Sequence, residues 1–131
     1  MGNSFIVWVV GQFACYTFQT FPNDRRLVNV PDTLRLKAGD TYRLRLIHLI
    51  PDWTARIALL QGDSVLSWRA LAKDGAELPS HLQTARPAEL IAGPGETFDF
   101  EYRPAAPGML RLMVMQRTGI WKMELPIRVE R

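Results

Sequence analysis

The strongest constraint on this chain is its punctuation. Glycine and proline, nine of each among 131 residues, cut it into short segments in which apolar and polar residues alternate. Turn signals roughly every ten residues, with period-two patterning between them, predict an antiparallel sandwich or barrel. Three turns stand out. Ala38-Gly39-Asp40-Thr41 leads into Tyr42–Ile50, Lys73-Asp74-Gly75 interrupts the middle of the chain, and Gly93-Pro94-Gly95-Glu96 leads into Thr97–Tyr102. Each supplies a backbone position that glycine occupies at little steric cost.

Tyr42–Ile50 carries the clearest strand pattern. Tyr42, Leu44, Leu46 and Ile50 fall on one face and Arg43 and Arg45 on the other. Ile47 and Leu49 make the far end of the second face apolar, which predicts cover on both sides there. The same reasoning predicts strands at Phe5–Val10, Leu27–Val30, Thr33–Lys37, Arg56–Gln61, Val65–Trp68, Glu89–Ala92, Thr97–Tyr102, Met109–Gln116 and Ile120–Val129. Pro126 cannot donate to a ladder, so the last of these is expected to break or bend. Arg117-Thr118-Gly119 is expected to close a hairpin between the final two strands. No window carries a helical stripe, and helix is expected only as a turn near Pro79–Leu82. With no internal repeat and no low-complexity linker, residues 1–131 read as one all-β domain.

Charge excludes one class of partner. The excess is three positive charges, and Arg35, Arg43, Arg45, Arg111 and Arg128 occur singly among strand residues, as solvated strand faces do. Nucleic-acid binding asks for a clustered basic patch with interleaved aromatics. The single cysteine, Cys15, rules out an intrachain disulfide and reads as a small buried hydrophobe. Phe5–Val10 is too short to span a bilayer, and no Lys or Arg precedes Arg25. The N-terminus therefore reads as a strand rather than a targeting segment.

Catalytic signatures are missing. There is no nucleophile elbow, phosphate loop, C-x-x-C or H-E-x-x-H phrase. Asp74 with Glu77, and Asp99 with Glu101, are conceivable carboxylate pairs, but the second reads as a solvated strand face.

In order, AGDTYRLRLIHL (residues 38–49), LAKDGAELP (71–79) and GPGETFDFEYRPAAPGMLRLMV (93–114) resemble the central, plastocyanin-like domain of multicopper oxidases. The resemblance covers residues 27–131 well and residues 1–26, an opening strand and a divergent segment, poorly. It implies a cupredoxin-like Greek-key β-sandwich of about eight to ten short strands. Relatives usually have Asn at the position of His48, and V-N-G where this chain has Val28-Asn29-Val30.

In that family, oxidation runs through a blue copper held by histidines, a cysteine and usually a methionine, and through a cluster held by further histidines. H-x-H pairs and an H-C-H phrase carry them, on the domains before and after this one. The present chain has only His48 and His81, in no such pair, and Cys15 lies near its start. No catalytic, cofactor-binding or metal residue is expected, and copper is implied only for companion domains. His48 is expected to be a half-buried strand residue bonded to a backbone carbonyl, and His81 an exposed loop residue.

Met109, Met113, Met115 and Met123 lie on the two final strands. With the loop at Arg117–Gly119, Met113 stands opposite Met123 on the face of Met115 and Trp121, as core, docking surface or Cu(I) site. A register one residue different gives that face to Leu112 and Val114.

The function expected is a non-catalytic spacer that docks between copper-bearing cupredoxin domains of the same or a partner chain. An extracytoplasmic location is implied by the family alone. Two other readings stand beside it: a free-standing immunoglobulin-like adhesion module, and a small copper carrier using the methionines with His48 or Cys15.

Overall fold

In the computed structural model, residues 4–10, 15–21, 24–29, 33–49, 54–116 and 122–131 are described. One sheet contains β1 (Ser4–Val10), β2 (Cys15–Phe21), β3 (Asp24–Asn29), β5 (Tyr42–His48), β8 (Ser67–Lys73), β10 (Ala85–Pro87) and β12 (Thr97–Tyr102), in the order β10-β8-β12-β5-β1-β2-β3. The short β9 (Ala76–Glu77) pairs with β8. The other sheet runs β11 (Glu89–Ala92), β6 (Ala55–Gln61), β13 (Gly108–Gln116), β14 (Lys122–Glu130) and β4 (Leu34–Lys37), with β7 (Ser64–Val65) on β6. Neighbours pair antiparallel except β1 with β5 and β4 with β14.

Period-two patterning sets which face each residue takes. Tyr42, Leu44, Leu46 and His48 of β5 are buried while Arg43, Arg45 and Ile47 are half-buried. The inner face of this sheet adds Trp68, Ala70 and Phe100. It meets Ile57, Leu59, Leu112, Val114, Leu125 and Ile127 from the facing sheet in one core. Leu59, Leu125, Ile57 and Val114 have no measurable exposure. Each such aliphatic chain contributes about 1.5–3 kcal/mol by leaving water.

The chain changes sheets at tight corners. Between β4 and β5, Gly39 takes φ +87°, and its N–H donates to the carbonyl of Pro104 at 2.8 Å. The Lys37 N–H donates to the buried Tyr42 hydroxyl at 2.7 Å, which pins that corner to the core. Between β10 and β11 the crossing takes one residue, the fully buried Ala88. Its N–H donates to Leu66 O at 2.7 Å and its carbonyl accepts from Leu59 N–H at 2.9 Å. No backbone group at this crossing is left unpaired, as burial demands.

Several expectations need correction. β14 is continuous through Pro126, which stands opposite Arg111 in the β13 ladder. Pairing with β4 starts only at Ile127, so that flank asks Pro126 for no N–H. The strand predicted at Val65–Trp68 is two strands, and β2, β9 and β10 were not predicted. Leu49 is 58% exposed rather than covered. The helical turn expected near Pro79–Leu82, by contrast, is present as a short 3₁₀ helix, Ser80–Leu82. Ile50, Val30, the hairpin turn Arg117–Gly119 and Trp121 lie outside the described residues.

Asp99 is not solvated. It is 2% exposed although it belongs to the outer face of β12, opposite Arg45. Arg45 reaches it through Nε and Nη2, both at 2.9 Å, and Arg43 through Nε at 2.8 Å. Arg43 also pairs with Glu77, and Arg69 makes a two-pronged pair with Glu101. The β8–β12 ladder carries a bulge at Leu71, where Asp99 faces Ala72 but Phe100 faces Ala70.

The two halves of this network are unequal. The arginines keep enough exposure to rehydrate, whereas the Asp99 carboxylate does not. Asp99→Asn is therefore expected to cost about 1 kcal/mol. The double substitution Arg43→Met with Arg45→Met, which strands a buried charge, is expected to cost about 3 kcal/mol or more. Urea unfolding of the two variants measures the difference, and equal losses contradict it.

Candidate functional site

The three sequence phrases meet at one end of the sandwich. The His48 N–H donates to Glu96 O at 3.1 Å, and Gly95 N–H donates back to His48 O at 2.9 Å. The turn through Gly93-Pro94-Gly95-Glu96 is thereby closed onto the end of β5, with Gly95 at φ +79°. The Glu96 carboxylate accepts from Gly93 N–H and from Lys73 Nζ, the latter at 2.6 Å. Lys73 also reaches Asp74 at 3.1 Å. Asp74 Oδ1 accepts from Thr97 N–H at 2.9 Å, and Asp74 N–H donates to Thr97 O at 2.8 Å. Asp74 itself has φ +51°, a conformation aspartate tolerates better than most residues.

These contacts set the electrostatics of the end. The Lys73 ammonium, then the Gly93 N–H, hold the Glu96 carboxyl below its ordinary value. The Thr97 backbone N–H, then Lys73, do the same for Asp74. Burial pushes the His48 imidazole down, against the pull of its own backbone and of the Glu96 charge. Instead of the half-exposed position expected, His48 is 1% exposed.

No copper centre is assembled by these residues. His48 lies inside one end of the core, while His81 is exposed in the 3₁₀ turn. Cys15 opens β2 opposite Val10, which itself stands opposite His48. Two strand spacings, about 10 Å, thus separate the backbones of Cys15 and His48. The methionines divide as well. Val114, not Met113, stands opposite Met123, and Met113 faces Glu124. Met123 packs on the main core, whereas Met113 and Met115 join Ala58 and Leu60 in a second cluster. Met109 is 56% exposed. The alternative register, with Leu112 and Val114 on the inner face, is the one adopted. Among the described residues no three His, Cys, Asp or Glu side chains come together as a metal site. This donor set fits neither a blue copper nor a histidine-rich cluster.

The carboxylates do not make an acid–base pair either. Asp99 is bound by two guanidiniums, Glu101 by Arg69, and Glu77 by Arg43. What sequence reasoning missed is the anchoring role of Asp99. The signal was present: Arg43-x-Arg45 and Asp99-x-Glu101 have matching period-two spacing, as cross-strand ion pairs require.

A neutral, buried His48 makes stability depend on pH. Its folded-state pKa lies below the unfolded value, so the unfolded chain binds the proton more readily. The contribution is fully present above about pH 6.5 and is lost as pH falls below it, by at most about 1.4 kcal/mol per pH unit. Thermal midpoints measured between pH 7.5 and 5 are expected to fall with pH in the native chain and to lose that component in His48→Asn.

No protein-family model and no curated protein matches this sequence. Solved structures do. The blue copper oxidase from Nitrosomonas europaea superposes over 97% of this chain and 44% of its own, at 19% identity and TM-score 0.62. The McoA multicopper oxidase variant from Aquifex aeolicus covers 98% of this chain and 31% of its own, at 14% identity and TM-score 0.61. A Cu-containing nitrite reductase from Thermus scotoductus covers 96% and 30%, at 14% identity and TM-score 0.58. The chain therefore spans less than half the length of each of these proteins. Two β-sheets, next to no helix and these superpositions agree: the chain has the cupredoxin-like sandwich fold found in the domains of multicopper oxidases.

Proposed function

We propose that this chain is a copper-free cupredoxin-like domain that packs against copper-bearing cupredoxin domains, in the same polypeptide or a partner, and sets their separation. One observation carries the reading: a fold shared with multicopper oxidases holds a donor set unable to build either of their copper centres. A fold can outlast its chemistry because activity resides in the residues grafted on it. Alone, the chain catalyses nothing. An extracytoplasmic place accords with the reading. Among the described residues no helix is long and apolar enough to cross a membrane.

The carrier alternative has less behind it, since Met113 and Met115 face away from Met123 and from buried His48. Two measurements test the spacer. Reading the coding frame on either side of this segment is expected to reveal H-x-H phrases upstream and an H-C-H phrase downstream, or both in a neighbouring gene. Titrating the metal-free chain with cuprous ion against a competing chelator is expected to give no binding tighter than about micromolar. Tighter binding replaces the spacer with the carrier, and copper phrases missing from the flanks and from the neighbouring genes alike remove the spacer altogether.

A further inference from the structure

Where β8 and β12 face β11, at the edge crossed by Ala88, the sandwich is not filled. A cavity of about 280 Å³ remains. Protein interiors pack as densely as organic crystals, with few voids larger than a water molecule, and small-molecule sites begin at about 300 Å³. The floor is aromatic. Trp68 and Phe100 stack at 4.0 Å and 13°, and the Phe98 ring lies 6.3 Å from Phe100 and nearly parallel to it, at 7°. Leu90 forms the opposite wall and Leu78 one side. Trp68 and Phe100 are buried, whereas Phe98, Leu78 and Leu90 keep partial exposure on the open side.

Three charged residues also line this space. Lys73 is already held by Glu96 and Asp74 and lies over the Phe98 ring at 5.1 Å. Glu89 is paired with Arg56 at 2.7 Å. Arg86 differs. It stands directly opposite Trp68 in the β10–β8 ladder, and so shares its face. Its Nη2 donates to Leu82 O at 2.9 Å and reaches Thr84 Oγ1 at 3.4 Å. Among the described residues no partner takes its Nε or Nη1, and no carboxylate neutralises it. Nη2 is thus committed, and both two-pronged edges of a guanidinium include it, so Nε and Nη1 are each left to give a single hydrogen bond. Such a bond suits one oxygen of a carboxylate, strengthened by the charge on both partners.

From this arrangement we propose that the cavity binds a small planar aromatic carboxylate, its one or two rings against Trp68, Phe98 and Phe100 and its carboxylate on Arg86. The floor selects a flat ring. A single open guanidinium suits a monoanion, and Lys73 already holds the place over Phe98 that a ligand cation needs. This goes beyond the spacer role and does not depend on it.

Calorimetric titration of the chain with indole-3-acetate, 3-methylindole and tryptamine tests the site, because these probes share a ring and differ in charge. Indole-3-acetate is expected to bind about tenfold tighter than 3-methylindole, the ratio one charge-assisted hydrogen bond supplies, with tryptamine weakest. Arg86→Gln, a change at an exposed side chain, is expected to bring acid and neutral probe within about twofold while the neutral probe binds as before. In the unaltered chain, methyl signals of Leu78 and Leu90 should shift with saturating acid. No saturation by millimolar probe, shifts confined elsewhere, or an acid preference unchanged in Arg86→Gln overturns the proposal.

Discussion

Alternation along β5 is the constraint on which the rest of the structure depends. Inner residues Leu44 and Leu46 are buried in the shared core, while Arg43 and Arg45 pass to the other face and enclose Asp99. Both faces are satisfied by one register with β12. A slip of one residue would put guanidiniums into the core and leucines beside a buried carboxylate, so the two networks reinforce each other. The parallel pairing of β1 with β5 then attaches the β1-β2-β3 ribbon to the opposite edge of β5.

Corners decide the shape of the sandwich as much as the sheets do. Gly39 and Tyr42 draw β4 and β5 into different sheets, and buried Ala88 carries the chain across at the far edge. The second crossing passes from β10, beside Trp68 in one sheet, to β11 in the other. The cavity lined by Trp68, Phe100 and Arg86 lies at this edge.

Likeness to oxidase domains and a scarcity of imidazole and thiolate donors belong together. Strand pairing and core packing need apolar residues at alternate positions, whereas a copper centre needs a few imidazoles and a thiolate at fixed points. The first requirement is met along the strands that build the core, β5, β13 and β14 among them. The second is unmet: His48 is enclosed within the core and His81 stands at the surface.

Sequence by itself determined the fold class, the turns at Gly39, Gly75 and Gly95, and most strands, because these follow from period-two patterning and from local backbone preference. It also determined how many copper donors exist, since counting needs no geometry. Short strands such as β9 and β10 escaped, having too few residues to show a period. Tertiary structure alone decided that Asp99 is buried, that Val114 rather than Met113 opposes Met123, and that Arg86 stands opposite Trp68 in the β10–β8 ladder. Each depends on which strand lies beside which, and long-range register is set by the packing of distant segments rather than by any residue's neighbours in the chain.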